Sequence, residues 1–297
     1  MVEPATVLAL PRRRAPAVAA FVAMRPRQWT KNLLLFAGIV FAAKLGDPSR
    51  WAAAVAAFAA YCAASSAAYL VNDVHDVASD RLHPVKRFRP VARGELGPRA
   101  ALALAGVLVV AALVLAGSLG PASLACLVAF VGLQAAYSLA LKAFELVDVI
   151  AIAGLFVLRA AAGAIAVDVP ISEWLLLCTF LLALFVALGK RRAELGLEGV
   201  NARASLSGYS VPLVDQLLSI VAAATIAAYT GYTLAAHDTR WLVATIPLVV
   251  YGLFRYLLLL HRRGLGEEPE ALLVEDLPLL ATVAAWAAAC GVILALT

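Results

Sequence analysis

Three aspartates near the end of a long apolar segment have the spacing of a metal site. Asp73, Asp76 and Asp80 of the run NDVHDVASD lie at i, i+3 and i+7, so on a helix they share one face. Two unit charges about 4 Å apart repel by roughly 4 kcal/mol at an effective dielectric near 20, and a divalent cation removes that cost. Because Mg²⁺ binds one or two carboxylates and completes its shell with water and phosphate oxygens, the motif predicts a Mg²⁺-diphosphate site at a membrane surface.

A loop rich in cations follows the acidic motif. The dipeptide His83-Pro84 predicts that the helix ends soon after Asp80. The loop cations suit a bound phosphate, but they also suit the bias that keeps Lys and Arg on the cytoplasmic side of a membrane. Both interpretations stay open for Arg87 and Arg89.

A second group of cations ends the sixth apolar segment of the chain. Lys190, Arg191 and Arg192 stand together there, followed by Glu194. A local pair between Lys190 and Glu194, one helical turn apart, is one interpretation. The alternative is an anion subsite, in which Arg offers phosphate a bidentate fork and Lys a point charge.

One arginine lies in the middle of the fifth apolar segment. A guanidinium is costly in lipid, so Arg159 is predicted to face the bundle interior and to contact an acid or a ligand. Asp148 lies eleven residues earlier, about three helical turns away and on nearly the same face. Whether the two serve structure or substrate stays open. The small residues from Ala160 to Ala164 predict close helix packing.

The elements that must position these residues are membrane helices. With 64% hydrophobic and 14% charged residues, the composition lies outside that of soluble domains. Spanning a bilayer takes about 20 apolar residues, and runs of sufficient length predict an all-α integral membrane protein with nine transmembrane helices. We expect a cytoplasmic tail over 1–24 and a single transmembrane domain over 25–297. The predicted spans are 29–45, 51–72, 100–118, 120–141, 146–167, 171–189, 213–235, 241–260 and 276–296.

The distribution of Lys and Arg predicts the orientation. With the N-terminus inside, 19 of the 24 basic residues fall on the cytoplasmic side and three outside, and Arg159 and Arg255 fall within spans. This places the acidic motif and the basic end of the sixth span on the cytoplasmic face of a multi-pass protein of the cell's inner (plasma) membrane. The net charge of +5 follows from this bias, so we expect no nucleic-acid partner. The four cysteines, one to a segment, are expected to be small buried hydrophobes.

Three stretches of the sequence together resemble a known family. Asn-Asp-x-x-Asp-x-x-x-Asp at the end of the second span resembles the UbiA-type prenyltransferase superfamily. The stretches RPRQWTKN from Arg25, DRLHPVKRFRP from Asp80 and KRRAEL from Lys190 are similar to its decaprenyl-phosphate 5-phosphoribosyltransferase branch. Most superfamily members have a second Asp-rich motif at the end of the sixth span, where this chain has cations, and that departure suits a donor with more phosphates.

The resemblance implies a transferase. The donor would be 5-phosphoribosyl 1-diphosphate, the acceptor a polyprenyl phosphate such as decaprenyl phosphate, and the product a precursor of cell-wall arabinan. Mg²⁺ would be the cofactor, held by Asp73, Asp76 and Asp80, while His75 and His83 are expected to be structural or to contact the residues that bind substrate. The remaining candidate substrate-binding residues are Lys31, Asn72, Lys86, Arg93, Tyr137, Lys142, Asp148, Arg159, Lys190 and Arg191. Tyr137 and Lys142 are one residue further apart than in other branches.

Two other functions stay under consideration. Another UbiA-type reaction transfers a prenyl chain from its diphosphate to an aromatic acceptor, and the acidic motif alone does not separate the two. A transporter would place its charges near the membrane midplane, between inverted repeats, whereas here they group at one surface. The small-residue helix faces leave homo-oligomers open.

Overall fold

The chain forms a bundle of helices. The computed structural model describes residues 13–41, 46–195, 206, 208–235, 239–263, 272 and 275–296, and every regular element within these ranges is a helix. The α-helices are α1 (Pro16–Ala23), α2 (Ala37–Phe41), α3 (Pro48–His75), α4 (Val77–Leu82), α5 (Pro98–Ser118), α6 (Pro121–Leu139), α7 (Val147–Ala166), α8 (Glu173–Leu195), α9 (Val211–Ala235), α10 (Ile246–Arg263) and α11 (Leu277–Leu296). Stretches of 3₁₀ helix cover Pro26–Phe36, Lys86–Phe88, Leu141–Ala143 and Trp241–Thr245.

Eight helices in the described part of the chain are long and apolar enough to cross a membrane. They match the predicted spans from the second to the ninth, with bounds that differ by a few residues. The chain is therefore a multi-pass membrane protein with an all-helical fold. Two differences matter for function. Helix α3 continues to His75 and so includes Asn72 and Asp73, and α8 continues to Leu195 and so includes the residues from Lys190 to Glu194.

The segment predicted as the first span, 29–45, has a different structure. It consists of the 3₁₀ helix Pro26–Phe36 and the short α2, and residues 42–45 lie outside the described part. This segment packs closely on α7. A Cβ added at Gly38 would lie 2.8 Å from the backbone nitrogen of Ala164, and one at Gly163 would overlap the carbonyl oxygen of Leu35. The predicted close packing of the small residues in α7 is confirmed.

The contacts between residues divide the chain into two compact units. The first comprises Met1–Trp29 with Ala63–Ala111, and the second comprises Thr30–Cys62 with Ala112–Thr297. In the second unit, an apolar core joins α7, α8, α9 and α10 around side chains such as Phe185, Leu218 and Tyr256.

The first unit includes part of the predicted N-terminal tail. From Pro16 onward the tail is helical, and Ala23 of α1 packs with Leu70 and Val91 in the core of this unit. Just before α1, the backbone N–H and the guanidinium of Arg14 both donate to Glu95, at 3.2 and 2.9 Å. Burial alone would raise the pKa of the Glu95 carboxyl, but the bonds from Arg14 and the charge of Arg93 outweigh it and hold that pKa below its usual range.

The close contact at Gly163 leads to a stability prediction. Gly163→Ala forces a Cβ into the Leu35 carbonyl, and overpacking of this kind typically costs about 1–3 kcal/mol. Gly132→Ala on α6 is the matched control, because open space surrounds that position and Ala favours a helix over Gly by about 1 kcal/mol. Thermal unfolding in detergent should show a lower midpoint for Gly163→Ala and an equal or higher one for Gly132→Ala. Equal midpoints for Gly163→Ala and the wild type would contradict the close packing.

Candidate active site

The acidic motif lies at a break between two helices of the first unit. Helix α3 ends at His75, Asp76 forms the joint with φ −91° and ψ 6°, and α4 begins at Val77. The amide N–H of Asp80 donates to the carbonyl of Asp76 at 2.9 Å, which is the first helical hydrogen bond of α4. Asp73 and Asp80 therefore stand on two different helices.

Two arginines hold the carboxylates of Asp73 and Asp80. Arg89 donates from one guanidinium nitrogen to Asp80 Oδ2 at 2.6 Å and to Asp73 Oδ1 at 3.3 Å, while Arg25 donates to the same Oδ1 of Asp73. Asp73 is 1% exposed and Asp80 3%. We call Arg25, Asp73, Asp80 and Arg89 the acidic site. Burying charged side chains is tolerable only when they are paired in this way.

Arg25 reaches the acidic site from a strained backbone. Its φ is +55°, in the left-handed region that costs an L-residue roughly 1–2 kcal/mol. Its guanidinium also lies 4.7 Å from the ring centroid of Tyr69 on α3, a cation–π contact. Strain of this kind persists only where the surroundings determine the conformation, and it concentrates at functional sites.

The loop after α4 brings Arg89 to the acidic site. His83 Nδ1 accepts from the backbone N–H groups of Val85 and Lys86, each at 3.2 Å, and so shapes the turn before Arg89. The amide of Arg89 then bonds the Lys86 carbonyl at 3.0 Å. The structural role expected for His83 is consistent with these bonds.

The predicted three-aspartate metal cluster is not formed as such. Within the part of the chain that the structure describes, no three acidic, His or Cys side chains lie close enough to hold a metal ion. Asp76 is in the joint between helices, and Arg89 bridges Asp73 and Asp80. One atom nevertheless fits a cation: Asp73 Oδ2 is buried and has no hydrogen-bond partner among the described residues. A buried carboxylate oxygen without a partner is costly, and a hard divalent cation suits it.

A second group of charged residues lies in the second unit, where α7 begins and α8 ends. Asp148 is fully buried and accepts from Arg191 Nε at 2.6 Å. Arg191 is 1% exposed, also pairs with Glu194, and lies 3.5 Å from the hydroxyl of Tyr137. Tyr209 donates to the other oxygen of Asp148 at 3.0 Å. We call these five residues the α8 cluster.

The α8 cluster changes the expectations for Arg191 and Asp148. The sequence predicts both as substrate contacts, yet the structure gives Arg191 two carboxylate partners and Asp148 a buried arginine. The ion pair seen for Glu194 is the one with Arg191.

Arg159 faces the bundle interior, as predicted, and is 5% exposed. It donates to Asn32 Oδ1 at 2.8 Å and to the Leu155 carbonyl at 3.0 Å, and lies over the rings of Phe130 and Phe156. These bonds connect α7 with the segment before α2. The substrate contact predicted for Arg159 stays a prediction.

The other predicted site residues have differing exposure. Lys86 and Lys142 are exposed, Arg93 lies 3.2 Å from Glu95, and the remaining four, Lys31, Asn72, Tyr137 and Lys190, are half-buried. Sequence reasoning missed Arg25 and Tyr209 as site residues and left Arg89 undecided. Arg25 begins a stretch that carried the family resemblance, which was the one signal for it. Tyr209 has no comparable signal.

Comparisons with known proteins agree on one family. The profile of the UbiA prenyltransferase family matches residues 32–275. A protein of Mycolicibacterium smegmatis named decaprenyl-phosphate phosphoribosyltransferase is 37% identical over 288 residues, covering 91% of this chain and 90% of the relative. One of the same name from Corynebacterium glutamicum is 33% identical, with 89% and 83% covered.

Solved structures agree with the fold. A UbiA homolog from Archaeoglobus fulgidus, bound to GPP and Mg²⁺, superposes with a TM-score of 0.72 at 18% identity and covers 94% of this chain and 100% of its own. A digeranylgeranylglyceryl phosphate synthase gives 0.71 at 15% identity. At such identities the likeness concerns the fold. Together with the profile match and the relatives above 30% identity, it shows that the chain belongs to the UbiA prenyltransferase family.

Proposed function

We propose that this protein transfers the 5-phosphoribosyl group from 5-phosphoribosyl 1-diphosphate to a polyprenyl phosphate, releasing diphosphate. The relatives that share a third or more of its residues over nearly their whole length carry the name of that activity, with decaprenyl phosphate as acceptor. The product would serve the synthesis of cell-wall arabinan. The observation that carries the proposal is the acidic site, where two buried carboxylates and two arginines meet at the end of an apolar helix.

The acidic site suits a diphosphate bound with Mg²⁺. Asp73 and Asp80 are the candidate metal ligands, and Asn72 is a candidate orienting amide. The best placed atom is Oδ2 of Asp73, which has no hydrogen-bond partner in the described part of the chain. A bound Mg²⁺ would neutralise the charge that develops on the departing diphosphate. Two protein carboxylates are enough, since Mg²⁺ usually takes its other ligands from water and phosphate.

The arginines of the acidic site can serve the donor directly. Arg25 and Arg89 are half-buried, and each carries several N–H donors that match phosphate oxygens. As diphosphate leaves ribose C1, positive charge develops on the sugar and negative charge on the leaving group, which these guanidinium groups stabilise. The attacking phosphate oxygen of the lipid is already anionic, so the reaction requires no strong general base.

The basic end of α8 favours this reaction over the related aromatic prenylation. Both donors contain a diphosphate, but 5-phosphoribosyl 1-diphosphate has a further 5-phosphate and the lipid acceptor has another. Lys142 and Lys190 are the candidate contacts for these groups, with Lys31, Lys86 and Arg93 as further candidates. Arg191 and Asp148 would instead support the helix end that presents Lys190.

The membrane supplies the setting for the reaction. We place the active site at the cytoplasmic face of the inner membrane, where the soluble donor meets the lipid phosphate, because the basic residues group on that side. The polyprenyl tail would lie along the apolar helices in contact with lipid.

Product analysis tests the proposed reaction. Purified protein in mixed micelles, given Mg²⁺, labelled 5-phosphoribosyl 1-diphosphate and decaprenyl phosphate, should form a labelled lipid and release diphosphate. A parallel incubation offers geranyl diphosphate with 4-hydroxybenzoate. Turnover in the second mixture alone would establish the aromatic reaction instead. Solute transport in liposomes with no diphosphate released in either mixture would establish a transporter.

Replacing the buried aspartate tests the acidic site. Asp73→Asn keeps the shape but removes the charge that would hold Mg²⁺, so product formation should fall by at least about 100-fold, as for the loss of other groups that stabilise a transition state. Asp168→Asn is the matched control, because Asp168 is exposed with φ +51°, which Asn tolerates. Its activity should stay within about twofold of the wild type. Near-normal activity of Asp73→Asn would refute the site.

Two neighbouring arginines allow a matched test of the loop. Arg89→Gln removes a cation from two buried carboxylates, a loss that costs about 2 kcal/mol or more, so kcat/KM should fall at least about 30-fold. Arg87→Gln makes the same charge change at an exposed position, where Arg87 lies over the ring of Phe88. If both variants lose activity equally, the loop acts only through its overall charge.

A further inference from the structure

The turn between α6 and α7 has a strained residue in the second unit. Leu146, just before α7, has φ +60° and ψ −40°, a conformation that L-residues rarely adopt. Its backbone N–H donates to the hydroxyl of Tyr209 at 2.8 Å. Such strain persists only where other contacts determine the conformation, and this bond is one of them.

The same hydroxyl connects the turn to the buried carboxylate. Tyr209 donates to Asp148 Oδ1 at 3.0 Å while accepting from Leu146, so one oxygen atom joins the turn and the start of α7. Burial raises the pKa of Tyr209 to about 12, and the nearby carboxylate of Asp148 adds to the effect, so the hydroxyl keeps its proton at neutral pH. The segment before α9 also passes close to this turn, since a Cβ added at Gly208 would lie 2.5 Å from Cγ of Glu145.

The chain of bonds continues to the end of α8. Asp148 Oδ2 accepts from Arg191 Nε at 2.6 Å, and Arg191 is buried between Asp148 and Glu194. Tyr209 thus bonds the backbone four residues after Lys142 and connects through Asp148 to Arg191, the neighbour of Lys190 at the end of α8. Leu146 is 48% exposed, whereas Asp148 and Arg191 are buried, and buried groups hold their geometry better than exposed ones.

We propose that Tyr209 is a positioning residue, which through Leu146, Asp148 and Arg191 fixes Lys142 and Lys190 relative to each other for binding one phosphate group of the donor. This inference rests on the proposed function, because it takes phosphate as the ligand of the two lysines. It assigns no contact with substrate to Tyr209 itself. The hydroxyl, rather than the ring, is the part that matters.

Tyr209→Phe removes that hydroxyl and leaves the ring in place. We expect the KM for 5-phosphoribosyl 1-diphosphate to rise about tenfold, while kcat and the KM for decaprenyl phosphate change less than threefold. Tyr251→Phe on α10 is the control, because this tyrosine is 48% exposed and belongs to neither charged group. It should match the wild type in kcat and in both KM values. An unchanged donor KM in Tyr209→Phe would overturn the inference.

A double-mutant cycle separates positioning from general destabilisation. Lys142→Ala should raise the donor KM by itself, and Tyr209→Phe should add little in the Lys142→Ala background, because both changes affect one contact. Full additivity, or a normal donor KM in Lys142→Ala, would overturn the inference. The proposed function fails separately, if the wild type forms no labelled lipid. Thermal unfolding of each variant shows whether any loss reflects the fold.

Discussion

Burying carboxylate charge at the end of an apolar helix is the constraint on which the site depends. Asp73 is almost inaccessible, and such a group is tolerated only with cations and hydrogen bonds around it. Arg25 and Arg89 supply both, the first from a strained residue after α1 and the second from the loop that follows α4. The joint at Asp76 and the turn shaped by His83 place these groups together. Local structure around the motif thus follows from the need to compensate buried charge.

The two charged groups meet this constraint differently. In the α8 cluster, Arg191 has two carboxylate partners, and Asp148 accepts hydrogen bonds at both of its oxygens. In the acidic site, the described residues leave Asp73 Oδ2 buried and without a partner. A satisfied network rigidifies a structure, whereas an unsatisfied buried oxygen suits a ligand. This contrast is the reason for our proposal that metal and diphosphate bind at the acidic site and that the α8 cluster has a supporting role.

The sequence predicted the membrane helices well because span length and apolar composition are properties of contiguous residues. Pro121–Leu139 and Leu277–Leu296 lie within two residues of their predicted bounds. The 29–45 segment was predicted as a membrane span, but much of it is 3₁₀ helix. It packs closely against Gly163, a residue far along the chain. The hydropathy of the segment carries no information about that contact.

The site was predicted in part, for a related reason. Charge spacing identified the aspartates, and Asp73 and Asp80 do meet at one nitrogen of Arg89, but the joint at Asp76 places them on two helices. Arg87 and Arg89 look equivalent in sequence, and only the folded loop shows that Arg89 reaches the carboxylates. The pair of Arg25 and Asp73 joins residues 48 positions apart, and Tyr209 meets Asp148 across 61. Such partners depend on packing, which a single sequence does not specify.

The central claim is that Asp73 and Asp80 hold a metal-bound diphosphate. An experimental structure of the protein with Mg²⁺ and 5-phosphoribosyl 1-diphosphate tests it most directly. The account predicts metal density at Asp73 Oδ2 and Asp80, with diphosphate oxygens contacting Arg25 or Arg89. Donor bound elsewhere, with both carboxylates still paired only to the arginines, would contradict it.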